Sequence, residues 1–175
     1  MFLAENGRQT YVHIVTGEVN SGKTARLLSI YRSLGCGDGF INAKIFREGH
    51  FTGQRIIRLS TGESEIFSII SEFTPPDWDE VYKYGDFSFS GKGQEFAHNA
   101  VYSIIGQGIE PVFIDEIGPL ELQKKGFYDI MSMLLGTKSE IYTAVRKSCM
   151  DSVLKEFNIK AYDIISTDRQ AAQGV

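Results

Sequence analysis

Eight residues, Gly17-Glu18-Val19-Asn20-Ser21-Gly22-Lys23-Thr24, restrict the local chain path more tightly than any other part of the sequence. They satisfy the pattern G-x-x-x-x-G-K-[ST] at every fixed position. The pattern needs a strand before it and a helix after it. Tyr11-Val12-His13-Ile14-Val15 reads as a short strand, and Leu27, Leu28, Tyr31 and Leu34 recur at helical spacing up to the glycines Gly35 and Gly37. Two glycines let the backbone curl so that successive N–H groups point inward at a phosphate, and the helix N-terminus behind adds its dipole. In such a loop Lys23 reaches the outer phosphates and the Thr24 hydroxyl ligates Mg²⁺. Gly17 to Thr24, with the following Ala25, is therefore the candidate nucleotide-binding segment, and its expected ligand is a nucleoside triphosphate. An ordinary glycine-rich strand-to-helix turn is the competing reading.

Farther along, the period changes. Phe40 to Arg47, Gln54 to Ser60 and Glu65 to Ile70 are three short β-like runs, parted by Glu48-Gly49-His50-Phe51-Thr52-Gly53 and by Thr61-Gly62. Such close spacing means hairpins, hence an antiparallel extension over 40–70. Thr74 to Asp79 reads as a loop, with Trp78 as its packing anchor, and Asp86 to Ser90 alternates like another strand. From Gln94 a helical face of Phe96, Ala97, Ala100, Val101, Ile104 and Ile105 follows. Pro111-Val112-Phe113-Ile114 is then a continuous apolar run ending in Asp115-Glu116, the mark of a central parallel strand buried on both faces. A helix over Leu120 to Leu135, a strand over Ile141 to Val145, a helix over Met150 to Phe157 and a strand over Tyr162 to Ile165 complete the alternation. The fold class is α/β, a mostly parallel sheet with an antiparallel β-hairpin extension, in one domain over 1–175 whose first nine residues fray.

The Asp-Glu pair supplies the second half of a site. Apolar residues followed by Asp hold the magnesium shell opposite the loop Thr, which makes Asp115 a candidate metal residue beside Thr24. A carboxylate directly after that Asp can polarise a water for in-line attack on the γ-phosphate, which makes Glu116 a candidate general base. Positive charge beyond Lys23 is also needed on the transferred phosphoryl group. Arg47, Arg55, Arg58, Arg146 and Arg169 are available, and Arg47 is preferred because it ends a strand beside a Gly-rich turn.

The remaining features exclude alternatives. A net charge of −4 argues against a general nucleic-acid binder. No run of about 18 apolar residues is present, so no membrane span is expected, and the start lacks the regions of a signal peptide. The two cysteines, Cys36 and Cys149, lie far apart with no ligand spacing, which fits free thiols in a reducing cytoplasm. The three histidines, His13, His50 and His98, share no metal spacing, and His13 reads as a satisfied core or rim residue.

At this point the chain resembles the small cancer-related nucleoside-triphosphatases of the phosphate-loop class. The resemblance rests on the loop Gly17–Thr24, on Gly39-Phe40…Arg47-Glu48-Gly49 with its hairpin, on Asp115-Glu116-Ile117-Gly118…Glu121-Leu122, and on a tail at Asp168-Arg169-Gln170. It implies a three-layer, RecA-like P-loop NTPase fold in which an extra strand separates the loop strand from the Asp-Glu strand. It also implies Mg²⁺-dependent hydrolysis of the β–γ bond with broad base tolerance. Family roles carry over to Lys23 and Thr24 (phosphate and magnesium), Asp115 (magnesium), Glu116 (water activation), Arg47 (hairpin arginine) and Arg169 (base-side contact). Glu18-Val19-Asn20-Ser21 stands where the family usually shows Pro-Gly, Ala25 where a second Thr is common, and Pro119-Leu120 where Lys-Met is usual. A small-molecule kinase sharing the loop, or a non-catalytic nucleotide sensor, are the alternatives the residues leave open.

Overall fold

The structure, a computed structural model, describes residues 9–167; the expected frayed N-terminus up to residue 8 and the tail with Arg169 lie outside the described residues. The loop Gly17–Thr24 is flanked by the expected elements, strand β1 (Tyr11–Gly17) and helix α1 (Lys23–Leu34). Gly35 ends α1 in the left-handed conformation, at φ 66°, and its N–H bonds back to the Tyr31 carbonyl. The hairpin region comprises β2 (Asp38–Arg47), β3 (His50–Arg58) and β4 (Ser64–Ile70), followed by β5 (Glu80–Tyr84) and β6 (Phe87–Ser90). Helix α2 (Gly91–Gln107), capped by the Ser90 hydroxyl on the Gly93 N–H, leads into β7 (Val112–Ile117). Helix α3 (Tyr128–Leu135), β8 (Glu140–Arg146), α4 (Met150–Glu156) and β9 (Tyr162–Ser166) follow.

These strands form one sheet in the order β5-β6-β4-β3-β2-β7-β8-β1-β9. The block β2, β7, β8, β1, β9 is parallel, and β8 separates the loop strand from the Asp-Glu strand. From β2 outward every pairing is antiparallel, so the extension is as large as the parallel block. Strand β2 belongs to both halves. Asp38, Gly39 and Phe40 pair parallel with β7, while Phe40 to Arg47 pair antiparallel with β3. Three layers result. Leu27 of α1 packs on Val15, Phe113 and Tyr142 on one face of the sheet, and Ala97, Val101, Ile130, Met131, Leu134 and Val153 from α2, α3 and α4 fill the other. Phe113 and Ile114 of β7 point into opposite layers and both are fully buried, the reason that strand is apolar throughout.

Two local expectations are corrected, and one strand was not anticipated. The turn expected over 48–53 shrinks to Glu48-Gly49, both at positive φ (51° and 81°), the geometry of a two-residue hairpin turn, so β3 already begins at His50. The edge strand β5 was not anticipated, although half-buried Tyr82 and Tyr84 alternate with exposed Val81 and Lys83. The single helix expected over Leu120 to Leu135 is split into a 3-10 turn at Glu121–Gln123 and α3. Lys124 and Gly126 at positive φ break it, and the Glu121 carboxylate binds the Phe127 N–H that precedes α3.

Candidate active site

The loop is shaped by its small residues. A Cβ on Gly17 would run into the Ser21 and Thr167 side chains, and those two hydroxyls are bonded to each other at 2.7 Å. Asn20 (φ 61°) and Gly22 (φ 85°) take the left-handed turns that curl the chain, and the Ser21 N–H closes onto the Glu18 carbonyl at 3.2 Å. No side chain caps the start of α1, so its first N–H groups face the loop cavity. Lys23 is nearly buried, and its ammonium donates to the Gly17 and Glu18 carbonyls at 3.2 and 2.6 Å.

Opposite the loop, Thr24 Oγ1 donates to Asp115 Oδ2 at 2.8 Å, and the Asn42 N–H donates to the same oxygen at 3.0 Å. Asp115 is 1% exposed, and its other oxygen, Oδ1, has no hydrogen-bond partner among the described residues. Burial pushes its carboxyl up to about 6, with the Thr24 and Asn42 bonds acting against the shift. A buried carboxylate oxygen without a partner is costly unless something else meets it. Among the described residues no three His, Cys, Asp or Glu side chains come together to hold a metal. One hydroxyl and one carboxylate beside an uncapped helix start match Mg²⁺, which is held through one or two carboxylates plus substrate phosphates. The residues therefore fit that ion.

Glu116 follows with an unusual backbone. Its φ is 58°, and the β7–β8 register slips between Ile114 and Ile117, so β7 carries one extra residue at Asp115-Glu116. A bulge of this kind re-aims side chains at a strand end, and a non-glycine residue held at positive φ costs on the order of 1 kcal/mol. Its half-buried carboxylate accepts from Arg146 Nη2 at 2.8 Å and Nε at 3.2 Å, an ion pair reached across the sheet from the end of β8. Glu121 braces the loop behind. It is almost fully buried, accepts from the Gly118 and Phe127 N–H groups at 2.7 and 3.0 Å, and is pushed up to about 7 by that burial against those bonds.

A cavity of about 1000 Å³ gathers these groups. Val19 to Ala25, Asp115, Glu116 and Arg146 line it, with Asn42 and Lys44 from β2. Lys44 also donates to the Asn20 side chain at 2.8 Å. Gly17 and Glu18 lie at the foot of the loop, as acceptors for Lys23. Arg47 is exposed at the end of β2 and lines, with Arg55, a separate cavity of about 190 Å³. Arg58 pairs with buried Asp38 at 2.8 Å and serves as a strut. Of the arginines the residue pattern offered, Arg146 reaches the large cavity. Asn42 carried no expectation; Glu121 entered only as part of the block Asp115…Leu122 that carries the family resemblance, with no role assigned to it. Trp78 donates to Ser88 Oγ at 2.8 Å as a loop anchor, and His13 sits between Glu140 (2.9 Å) and Asp163 (2.6 Å), stacked on Tyr142.

Known proteins share this arrangement of chain. The nucleoside-triphosphatase THEP1 of Archaeoglobus fulgidus is 27% identical over 165 residues, covering 91% of this chain and 93% of that one. The protein of the same name from Methanosarcina acetivorans is 26% identical over 161 residues, covering 89% and 86%. Two solved structures share the fold: THEP1 from Aquifex aeolicus (TM-score 0.67, 24% identity, 89% of each chain) and a human cancer-related nucleoside triphosphatase (TM-score 0.61, 18% identity, 90% of this chain and 88% of that one). A family model described as NTPase matches residues 12–174, nearly the whole length. With that span matched, the chain belongs to the NTPase family of nucleoside-triphosphatases.

Proposed function

We propose that the protein hydrolyses the β–γ bond of nucleoside triphosphates, giving the diphosphate and phosphate, in a Mg²⁺-dependent reaction that tolerates several bases. The observation that carries this reading is the placement of the Glu116–Arg146 pair directly beside the Thr24–Asp115 hydrogen bond at the mouth of the phosphate loop. Loop N–H groups and Lys23 bind phosphate oxygens, which are the same for every base, and this supports broad base tolerance. On binding, the Lys23 ammonium exchanges the Gly17 and Glu18 carbonyls for the outer phosphate oxygens. Thr24 and Asp115 are the residues that would hold Mg²⁺, which neutralises charge on the phosphates when bound. Glu116 takes the proton of the attacking water, and Arg146 swings from Glu116 to the γ-phosphoryl group, freeing the base as it adds positive charge. The exposed, unpaired thiol of Cys36 favours a reducing compartment, the cytoplasm. No described helix is long and apolar enough to cross a membrane.

The test is phosphate release from ATP, GTP, CTP and UTP with Mg²⁺, alongside nucleotide binding, for the native protein and Glu116→Gln. The variant keeps binding and loses roughly 10²–10⁴-fold in turnover, the range for a positioned general base. Native protein that binds nucleotide without releasing phosphate would sink the hydrolase reading in favour of a sensor or a transferase.

A further inference from the structure

The large cavity that the phosphate loop lines also has an aromatic part. Phe51 from β3, Phe67 from β4, Tyr84 and Phe87 from the β5–β6 hairpin, Phe89 and Phe127 line it. Two groups of ring contacts run through it. Phe67 stacks on Phe127 at 4.8 Å, meets Phe89 edge-on at 5.2 Å, and Phe51 lies 5.9 Å from Phe87. Phe67, Phe89 and Phe127 are buried and make the floor, while Phe51, Tyr84 and Phe87 are half-buried around the opening. Of the lining's cations, Lys23 bonds to the loop and Arg146 bonds to Glu116. Lys44 bonds to Asn20 of the loop and also lies 5.9 Å over the Phe51 ring, where the loop and the aromatic part meet. The other polar side chains beside these rings, Gln54, Asp86 and buried Glu121, are neutral or acidic, so this part of the cavity does not match a second phosphate.

The two parts also meet at the loop after β7. Glu121 ties the Gly118 N–H to the Phe127 N–H, so the segment that follows Glu116 also sets the chamber floor. In-line displacement at the γ-phosphorus requires the nucleophile to enter opposite the departing diphosphate. The diphosphate rests in the loop, so entry is from the Glu116 side, which this chamber adjoins. A water needs about 30 Å³ and gains nothing from six aromatic rings.

We propose that this chamber binds a second substrate, an uncharged aromatic alcohol, whose hydroxyl accepts the γ-phosphoryl group in place of water. The proposal rests on the loop being the triphosphate site. The hydroxyl oxygen bonds to the γ-phosphorus as the bond from that phosphorus to the β–γ bridging oxygen breaks. The hydroxyl proton passes to Glu116, and the products are a phosphate monoester and the nucleoside diphosphate. Stacking on flat rings selects the body of the acceptor, and Glu116 selects its hydroxyl.

Incubating the native protein with MgATP and either 2-phenylethanol or indole-3-ethanol, followed by ³¹P NMR, reads monoester and free phosphate together. The expected result is monoester from at least one alcohol, and slower transfer when 3-ethylindole, which has no hydroxyl, is added. Phe51→Ala and Phe87→Ala, both at the opening, should lower the ratio of monoester to free phosphate at least tenfold, a change that a general loss of fold does not produce. Free phosphate without monoester from either alcohol overturns the proposal and leaves the hydrolase reading standing. Monoester without any phosphate release in the absence of alcohol does the reverse. If the alcohols displace ATP itself, the chamber holds the nucleobase and the proposal falls.

Discussion

Glu116 and Arg146 lie 30 residues apart in the chain yet form the charged centre of the cavity, at 2.8 Å. Glu116 could be picked out because it directly follows the Asp that ends an apolar strand. Arg146 could not be preferred, because its approach depends on β8 lying between β1 and β7. Arg47 had the better local context, a strand end beside a turn, but that turn points it at a different cavity. The prediction for these side chains is a ranking. Arg146→Ala should lower the turnover number by about 10³-fold, the scale of an arginine acting on the transferred phosphoryl group. Arg47→Ala should have a much smaller effect. Steady-state phosphate release on the two variants checks this, and the opposite ranking would return the role to Arg47.

Strand β2 is the element on which the two halves of the sheet turn. Its first three residues extend the parallel block and the rest opens the antiparallel extension. Gly39 permits the change. Its φ is 154°, and a Cβ there would meet the backbone of Phe113, which has no room to move inside a central strand. Gly39→Ala should therefore destabilise the protein by roughly 3 kcal/mol or more, read from denaturant or thermal unfolding, and should lower nucleotide affinity, since Phe113 stands two residues before Asp115. Unchanged unfolding would mean that β2 and β7 separate without cost. The broken helix after β7 follows the same logic. Apolar spacing over 120–135 is helical, but buried Glu121 outweighs it by taking the N–H groups of Gly118 and Phe127.

Across the molecule, two buried carboxyls set a pH dependence. Asp115 and Glu121 are pushed up to about 6 and 7 by burial, above their ordinary values. The native protein thus holds protons that the unfolded chain has already released. Their contribution to stability is complete below the ordinary carboxylate range and is lost as pH rises through about 6 to 7. In the absence of metal and nucleotide, stability should fall between pH 5 and pH 8, with Glu121 contributing on the order of 3 kcal/mol at most. Glu121→Gln should flatten that slope while lowering stability at pH 5, because an amide nitrogen cannot accept the N–H bond that the second carboxyl oxygen accepts. Urea unfolding at several pH values checks both; an unchanged slope in the variant would remove Glu121 as its source.

The local sequence alone determined the strand–loop–helix around Gly17 to Thr24, the apolar strand ending in Asp115-Glu116, the α/β alternation and the presence of hairpins over 40–70. Each of these follows from short-range rules: glycine at positive φ, periods of two and 3.6, and apolar residues buried on both faces. Only the tertiary structure decided which arginine meets Glu116, how Asp115 comes to face Thr24, where Glu121 breaks a helix, and that five aromatic rings from the extension join Phe127 in lining the cavity. Those outcomes depend on strand order and on burial. Both are set by which distant segments exclude water together, and no short window of sequence contains that information.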